Sequence, residues 1–154
     1  MLSVFDRLSE LLRKNEVRFD VKRHEPVFTS EEAALVRGTS LASGAKALIC
    51  KLDDTFVMFV LPADRKLDSK AVRKQLKARS MRFASGDEVF AVTGLKPGSI
   101  PPFGSLFDLP TYCDARLRDE SVINFNAGDH AISISVTYEA YVRVEGPEIG
   151  VFAV

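Results

Sequence analysis

Residues 44–62 read Gly44-Ala45-Lys46-Ala47-Leu48-Ile49-Cys50-Lys51-Leu52-Asp53-Asp54-Thr55-Phe56-Val57-Met58-Phe59-Val60-Leu61-Pro62, and this stretch decides the fold class. Two apolar runs of strand length, Ala45 to Leu52 and Thr55 to Leu61, flank a pair of aspartates, which is the pattern of a tight hairpin. Strand side chains alternate between faces, so Lys46, Leu48 and Cys50 share one face of the first run. Lys46 is therefore a charge placed inside an apolar strand. Burial disfavours an ammonium ion, so the position is either a strand end that escapes to water or a site built to meet an anion. The run alone leaves both readings open, because edge strands also carry lysines that block pairing or snorkel past their neighbours.

Outward from the hairpin, short elements alternate. Ser3-x-x-Asp6 resembles a capping box, and Val4, Leu8, Leu11 and Leu12 follow at helical spacing, which predicts an amphipathic helix ending near Asn15. Val17 to Arg23 alternates Val17, Phe19 and Val21 with charged residues and reads as a half-buried strand. Thr29-x-x-Glu32 caps a helix over Ser30 to Val36 that Gly38 stops. After the hairpin, Asp68 or Ser69 caps a basic helix that turns Val72 and Leu76 inward. Met81 to Ala84 reads as a short strand, and Ser85-x-x-Glu88 caps a helix ending at Gly94. Further strands are expected at Pro110 to Cys113, Ser121 to Asn126 and Ala131 to Val136, with a closing helix over Thr137 to Val144. The tail from Glu145 to Val154 has an apolar end that must pack or pair. The expectation is one α+β domain over residues 1–154, with a mixed, mostly antiparallel sheet curled towards a barrel and short helices outside.

Composition narrows the functional classes. At 154 residues the chain is long enough for a core that needs neither disulfide nor metal staple. Its two cysteines, Cys50 and Cys113, sit in apolar runs without metal-ligand spacing and read as reduced core residues. The segment Met1 to Asn15 lacks the unbroken apolar stretch of a signal peptide or membrane span, so a cytoplasmic protein without a membrane partner is expected. The net charge of zero argues against bulk electrostatic attraction to nucleic acid, and DNA is not an expected partner. The charge is nevertheless uneven. Arg65 to Arg82 holds eight Lys or Arg residues against one acid, either a solvated helix face or a patch for an RNA backbone.

Familiar catalytic signatures are missing: no Walker loop, no G-x-G-x-x-G, no H-E-x-x-H and no G-x-S-x-G. The histidines are His24 and His130, neither near a cysteine in sequence, so no metal site or cofactor is expected. What remains is the loop Gly98-Ser99-Ile100-Pro101-Pro102-Phe103-Gly104. Its prolines fix the backbone and its glycines permit close approach, so the remaining amides are held in place as oxyanion donors would be. A rigid connector is the plainer reading of the same loop. The stretch Asn124-Phe125-Asn126-Ala127-Gly128-Asp129-His130 reads as a polar turn between two strands.

Taken in order, these segments resemble the YbaK/ProX family of aminoacyl-tRNA deacylases, which includes the editing insertion domain of bacterial prolyl-tRNA synthetases. The matching elements are His24-x-Pro26-x-x-Thr29-x-x-Glu32-Ala33-Ala34, Gly44-Ala45-Lys46-Ala47-Leu48, Leu61 to Asp68, Thr93-Gly94, Gly98-x-x-x-Pro102-Phe103-Gly104 and Asn124-x-Asn126-Ala127-Gly128. They span roughly Asp20 to Val136. The resemblance implies hydrolysis of the ester that links a wrong amino acid to the 3′ end of a tRNA, typically a tRNA for proline carrying a small residue. It implies Lys46, Gly98 and Ser99 as catalytic residues, with the loop's backbone amides rather than a protein nucleophile doing the chemistry. It implies a substrate pocket drawn from His24, Phe28, Thr29, Ile100, Pro102, Phe103, Gly104, Asn126, Gly128 and His130. Arg73, Lys74 and Lys77 are the candidate tRNA contacts. An aminoacyl-tRNA synthetase is a second candidate partner, and either a monomer or a homodimer is compatible. Lys22 and Ser133 stand where some cysteine-releasing members carry a tyrosine and an aspartate, which points away from thiol substrates. Two other readings share the fold: a non-catalytic module that binds tRNA or docks on a synthetase, and a hydrolase of some other activated acyl ester.

Overall fold

The computed structural model describes residues 2–154, with Met1 outside them. In chain order the elements are α1 (Val4–Lys14), β1 (Asp20–Arg23), α2 (Ser30–Arg37), β2 (Ala45–Leu52), β3 (Thr55–Pro62), α3 (Ser69–Leu76), β4 (Met81–Phe83), α4 (Gly86–Thr93), β5 (Thr111–Asp114), β6 (Val122–Asn126), β7 (Ile132–Thr137), α5 (Tyr138–Glu145) and β8 (Glu148–Gly150). The helices start where capping chemistry allows. Ser3 with Asp6, Thr29 with Glu32 and Ser85 with Glu88 each form a reciprocal capping box, and Asp68 caps α3.

The β2–β3 hairpin organises the rest. Its strands pair antiparallel from Ala45 opposite Pro62 to Leu52 opposite Thr55. The turn places Asp53 in the left-handed region at φ 53°, and its carboxylate accepts the amides of Arg79 and Ser80 at 2.9 and 3.0 Å. Both faces of the hairpin are apolar, so both need cover. Ala45, Ile49, Met58 and Val60 enter a larger core with Leu8 and Leu12 of α1, Val89 of α4, Tyr141 of α5 and the inner face of β6 and β7. Cys50, Val57, Phe59 and Leu61 enter a smaller core closed by Val72 of α3 and by Phe152 and Ala153 of the tail.

The strands form two sheets, β4-β2-β3-β5-β8 and β1-β7-β6. Only β3–β5 and β5–β8 pair in parallel. The mixed, mostly antiparallel character matches the sequence reading, but neither sheet closes or curls into a barrel. Between the two sheets the named contact is a bridge from Gly44 to Asn124. Three of the four sheet edges are short: β1 has four residues, all exposed, and β4 and β8 have three each, which discourages further pairing there.

One local expectation also changes. The strand expected from Val17 begins only at Asp20, because α1 is closed by a left-handed Glu16 at φ 58° and this cap engages the Val17 amide with the Leu12 carbonyl at 2.9 Å. Val17 and Phe19 still pack on the core from that connection, while Val21 is exposed. The tail pairs through β8 with β5 and is pinned by Asp114. This buried carboxylate accepts the amides of Arg116, Phe152 and Ala153 at 2.9, 2.8 and 2.7 Å.

Candidate active site

The start of β2, helix α2, the loop after α4 and the β6–β7 turn converge on a cavity of about 190 Å³. Lys46 lines it. The opening reading of the strand therefore resolves in an intermediate way: Lys46 is half-buried, at the end of β2 opposite Leu61. Burial lowers its pKa from the ordinary 10.5, Asp64 and Glu31 pull it back up, and Lys66 adds to the lowering. Among the described residues the ion pairs within 4.0 Å are Arg65–Asp64 and Arg82–Glu88, so the Lys46 ammonium has no close counter-ion.

The wall facing β2 comes from α2. Its N-cap Thr29 and the residues Ser30, Ala33 and Ala34 line the cavity with small side chains that leave the space open. Its last residue, Arg37, donates from Nε to Ser133 Oγ at 2.8 Å and from Nη2 to Asn126 Oδ1 at 3.0 Å. Burial pushes this guanidinium down to about 10. Ser133 Oγ also lies 2.8 Å from His24 Nε2, while His24 Nδ1 meets the Glu25 carbonyl at 2.8 Å. A carbonyl only accepts, so Nδ1 carries a proton; in the neutral imidazole Nε2 then accepts from the Ser133 hydroxyl, whose oxygen accepts from Arg37.

The third wall is the loop, held by the β6–β7 turn at three points. Asn126 Nδ2 donates to the Gly98 carbonyl at 2.7 Å, the Gly128 amide to the Ser99 carbonyl at 2.8 Å, and His130 Nε2 lies 3.2 Å from the Pro97 carbonyl. Gly98 has φ +88°, a conformation that favours glycine. The Ser99 amide and hydroxyl both bond the Lys96 carbonyl, at 3.3 and 2.8 Å. The amides of Gly98 and Ile100 have no protein acceptor among the described residues, and both residues line the cavity. Asp, Glu, His and Cys are all missing from the cavity lining.

The structure thus gathers Lys46, Phe28, Thr29, Gly98, Ile100 and Asn126 around one space. It places others behind or beside it. Ser99 is buried beneath the loop with its hydrogen-bonding groups engaged, and Phe103 is a core residue packed edge-on against Phe125 and Tyr141. Pro102 and Gly104 are buried, and Gly128 holds the loop by its amide. His24 reaches the site only through Ser133. His130 packs at a tilt of 35° against the exposed Phe28 ring, 4.8 Å between centroids. Arg73 and Lys74 lie exposed on α3 and Lys77 caps its end, outside the cavity lining. Among the described residues, no cluster of His, Cys, Asp or Glu could hold a metal ion. Sequence reasoning missed Arg37. A basic residue in the last turn of a helix before a glycine cap reads as a partner for the helix dipole, and that reading conceals its inward direction.

Residues 24–144 match the family model for the aminoacyl-tRNA editing domain. A relative from Escherichia coli (strain K12), the multifunctional Ser/Thr-tRNA deacylase ProXp-y, is 34% identical over 148 residues, which cover 93% of this chain and 89% of that one. The proline–tRNA ligase of Shouchella clausii is 36% identical over 101 residues, 66% of this chain but 18% of the ligase. Among solved structures, a protein of unassigned function superposes with a TM-score of 0.88 at 19% identity, covering 96% of this chain and 99% of that one. A candidate trans-editing enzyme for prolyl tRNA synthetase does so at 0.84 and 19%, covering 99% and 98%. These two share the fold. No helix among the described residues is long and apolar enough to cross a membrane. The family model over most of the chain and a relative matched along nearly its full length agree with the ordered motifs: the chain belongs to the aminoacyl-tRNA editing domain family.

Proposed function

We propose that the chain, acting as one editing domain over residues 1–154, is an aminoacyl-tRNA deacylase that hydrolyses the ester of a tRNA for proline carrying a small wrong amino acid. The observation that carries this reading is the cavity itself: it is lined by a half-buried lysine and by two loop residues whose amides have no protein acceptor, and its lining holds no nucleophile-and-base pair. Lys46 would meet the terminal phosphate or the acyl group as a point charge, strengthened by partial exclusion of water. The Gly98 and Ile100 amides would hold the scissile carbonyl. Water, positioned by a ribose hydroxyl, adds to the carbonyl carbon and gives up a proton to solvent, and the oxyanion that forms is held by those amides. Its collapse breaks the ester C–O bond, the ribose oxygen takes up a proton, and the amino acid leaves as a carboxylate. An aminoacyl ester is already activated, so positioning and oxyanion stabilisation suffice without a covalent enzyme intermediate.

The size of the cavity supports a small acyl group, since about 190 Å³ is well below the ~300 Å³ at which drug-sized sites begin. The relatives support the tRNA: one is named for Ser/Thr-tRNA and others for proline–tRNA ligation, which also makes a proline–tRNA ligase the candidate protein partner. The test is a panel of proline tRNAs mischarged with alanine, serine, threonine or cysteine. Release of free amino acid from at least one is expected. Binding of the tRNA without release from any would overturn the reading in favour of a non-catalytic module.

A further inference from the structure

Arg37 is a half-buried cation at the cavity wall whose hydrogen-bonded partners are neutral. Its Nε and Nη2 donate to Ser133 Oγ and Asn126 Oδ1, and no carboxylate lies within ion-pair distance among the described residues. A partly buried charge without a counter-ion gains little stability over an apolar residue of similar volume, so its presence here calls for another reason. The hydrogen bonds supply one. Asn126 uses its Oδ1 to accept from Arg37 and its Nδ2 to donate to the Gly98 carbonyl, which fixes which way the amide points. A planar guanidinium at the end of α2 holds β7 at Ser133 and β6 at Asn126 simultaneously from two separate nitrogens; a lysine offers its donors from a single nitrogen and lacks that fixed fork.

We propose that Arg37 is a positioning residue of the deacylation reaction: through Asn126 it sets the Gly98–Ile100 loop so that the loop's amides face the reacting carbonyl. The role rests on the deacylase reading, yet the relay itself is open to a measurement that needs no turnover. His24 and Ser133 form its outer end. The Ser133 hydroxyl donates to His24 and accepts from Arg37, so the guanidinium plane is held from behind as well as in front. Displacing catalytic groups by about 1 Å costs roughly 100-fold in rate, which sets the scale of effect for a loop released from this hold.

The experiment compares wild type, Arg37→Met, Arg37→Lys, Asn126→Ala and the Arg37→Met/Asn126→Ala double variant. Three readouts are taken: kcat and KM on a mischarged proline tRNA, thermal midpoint, and hydrogen exchange at the Ser99 and Gly128 amides, which are bonded within the relay's reach. Expected are kcat losses of about 10- to 100-fold for Arg37→Met and Asn126→Ala with KM changed little, and a double variant no slower than the worse single one. Arg37→Lys recovers part of the loss. The Arg37→Met midpoint stays level or rises while exchange at Gly128 accelerates. A midpoint that falls in step with kcat, losses that multiply in the double variant, or unchanged exchange would overturn the proposal. If wild type releases no amino acid from any tRNA, the deacylase reading fails, and the exchange data alone decide whether Arg37 holds the loop.

Discussion

At the scale of single residues, Lys46 gives up solvent and gains no counter-ion within 4.0 Å, so its chemistry opposes its environment. Burial lowers its folded-state pKa below the ordinary 10.5, which means the native state favours the neutral form more than the unfolded chain does. The sign follows. The lysine detracts from stability at pH values below its folded pKa, and the deficit fades as pH rises towards 10.5. Lys46→Met is therefore expected to be at least as stable as wild type at neutral pH, and wild type should gain on the variant between pH 7 and pH 10. Urea midpoints of both proteins at the two pH values measure this. A variant markedly less stable at pH 7 would show that Lys46 has a structural partner. A residue kept against stability at the wall of a cavity is what a site, rather than a strand edge, requires.

At the scale of elements, the tail is the clearest case of one residue fixing a segment. Asp114 is 1% exposed and accepts three backbone amides, two of them in the tail. Asp114→Ala would strand those donors, and a loss of about 3 kcal/mol is expected from denaturant titration, with β8 and residues 152–154 losing exchange protection first. A loss confined to a few tenths would show that the tail is held by Phe152 packing alone. Which elements were legible follows the same logic. Capping boxes and the 44–62 hairpin could be read because their signals are local: Ser, Thr or Asp spaced against an amide, and apolar runs broken by Asp53-Asp54. The Asp20 start of β1 was not, because the left-handed Glu16 that closes α1 ties up the Val17 amide against the alternation of Val17, Phe19 and Val21. The pairing of β8 in parallel with β5 joins residues more than thirty positions apart, and no local pattern encodes such a register.

At the scale of the whole molecule, a neutral chain separates its charge. The run from Arg65 to Arg82 places Arg73 and Lys74 on the exposed face of α3, while the catalytic candidates sit around β2, α2 and the loop. Replacing Arg73, Lys74 and Lys77 by glutamine is expected to raise KM for tRNA several-fold with kcat little changed, and to flatten the dependence of KM on salt. An unchanged salt dependence would assign α3 to solvent. For the site, the motifs located Lys46, Gly98, Ile100 and Asn126 around one cavity, whereas Ser99 and Phe103 turned out to face inward and Arg37 went unnoticed. Sequence order carries which segments meet, but the direction of a side chain from a loop or a helix end depends on packing that only the folded chain fixes. The most direct measurement of the central claim is release of free amino acid from mischarged proline tRNA by wild type and Lys46→Ala in parallel, with thermal midpoints taken on both. The account predicts turnover by wild type and a loss of at least about 100-fold in the variant at an unchanged midpoint; full turnover by Lys46→Ala, or none by wild type on any mischarged tRNA, would contradict it.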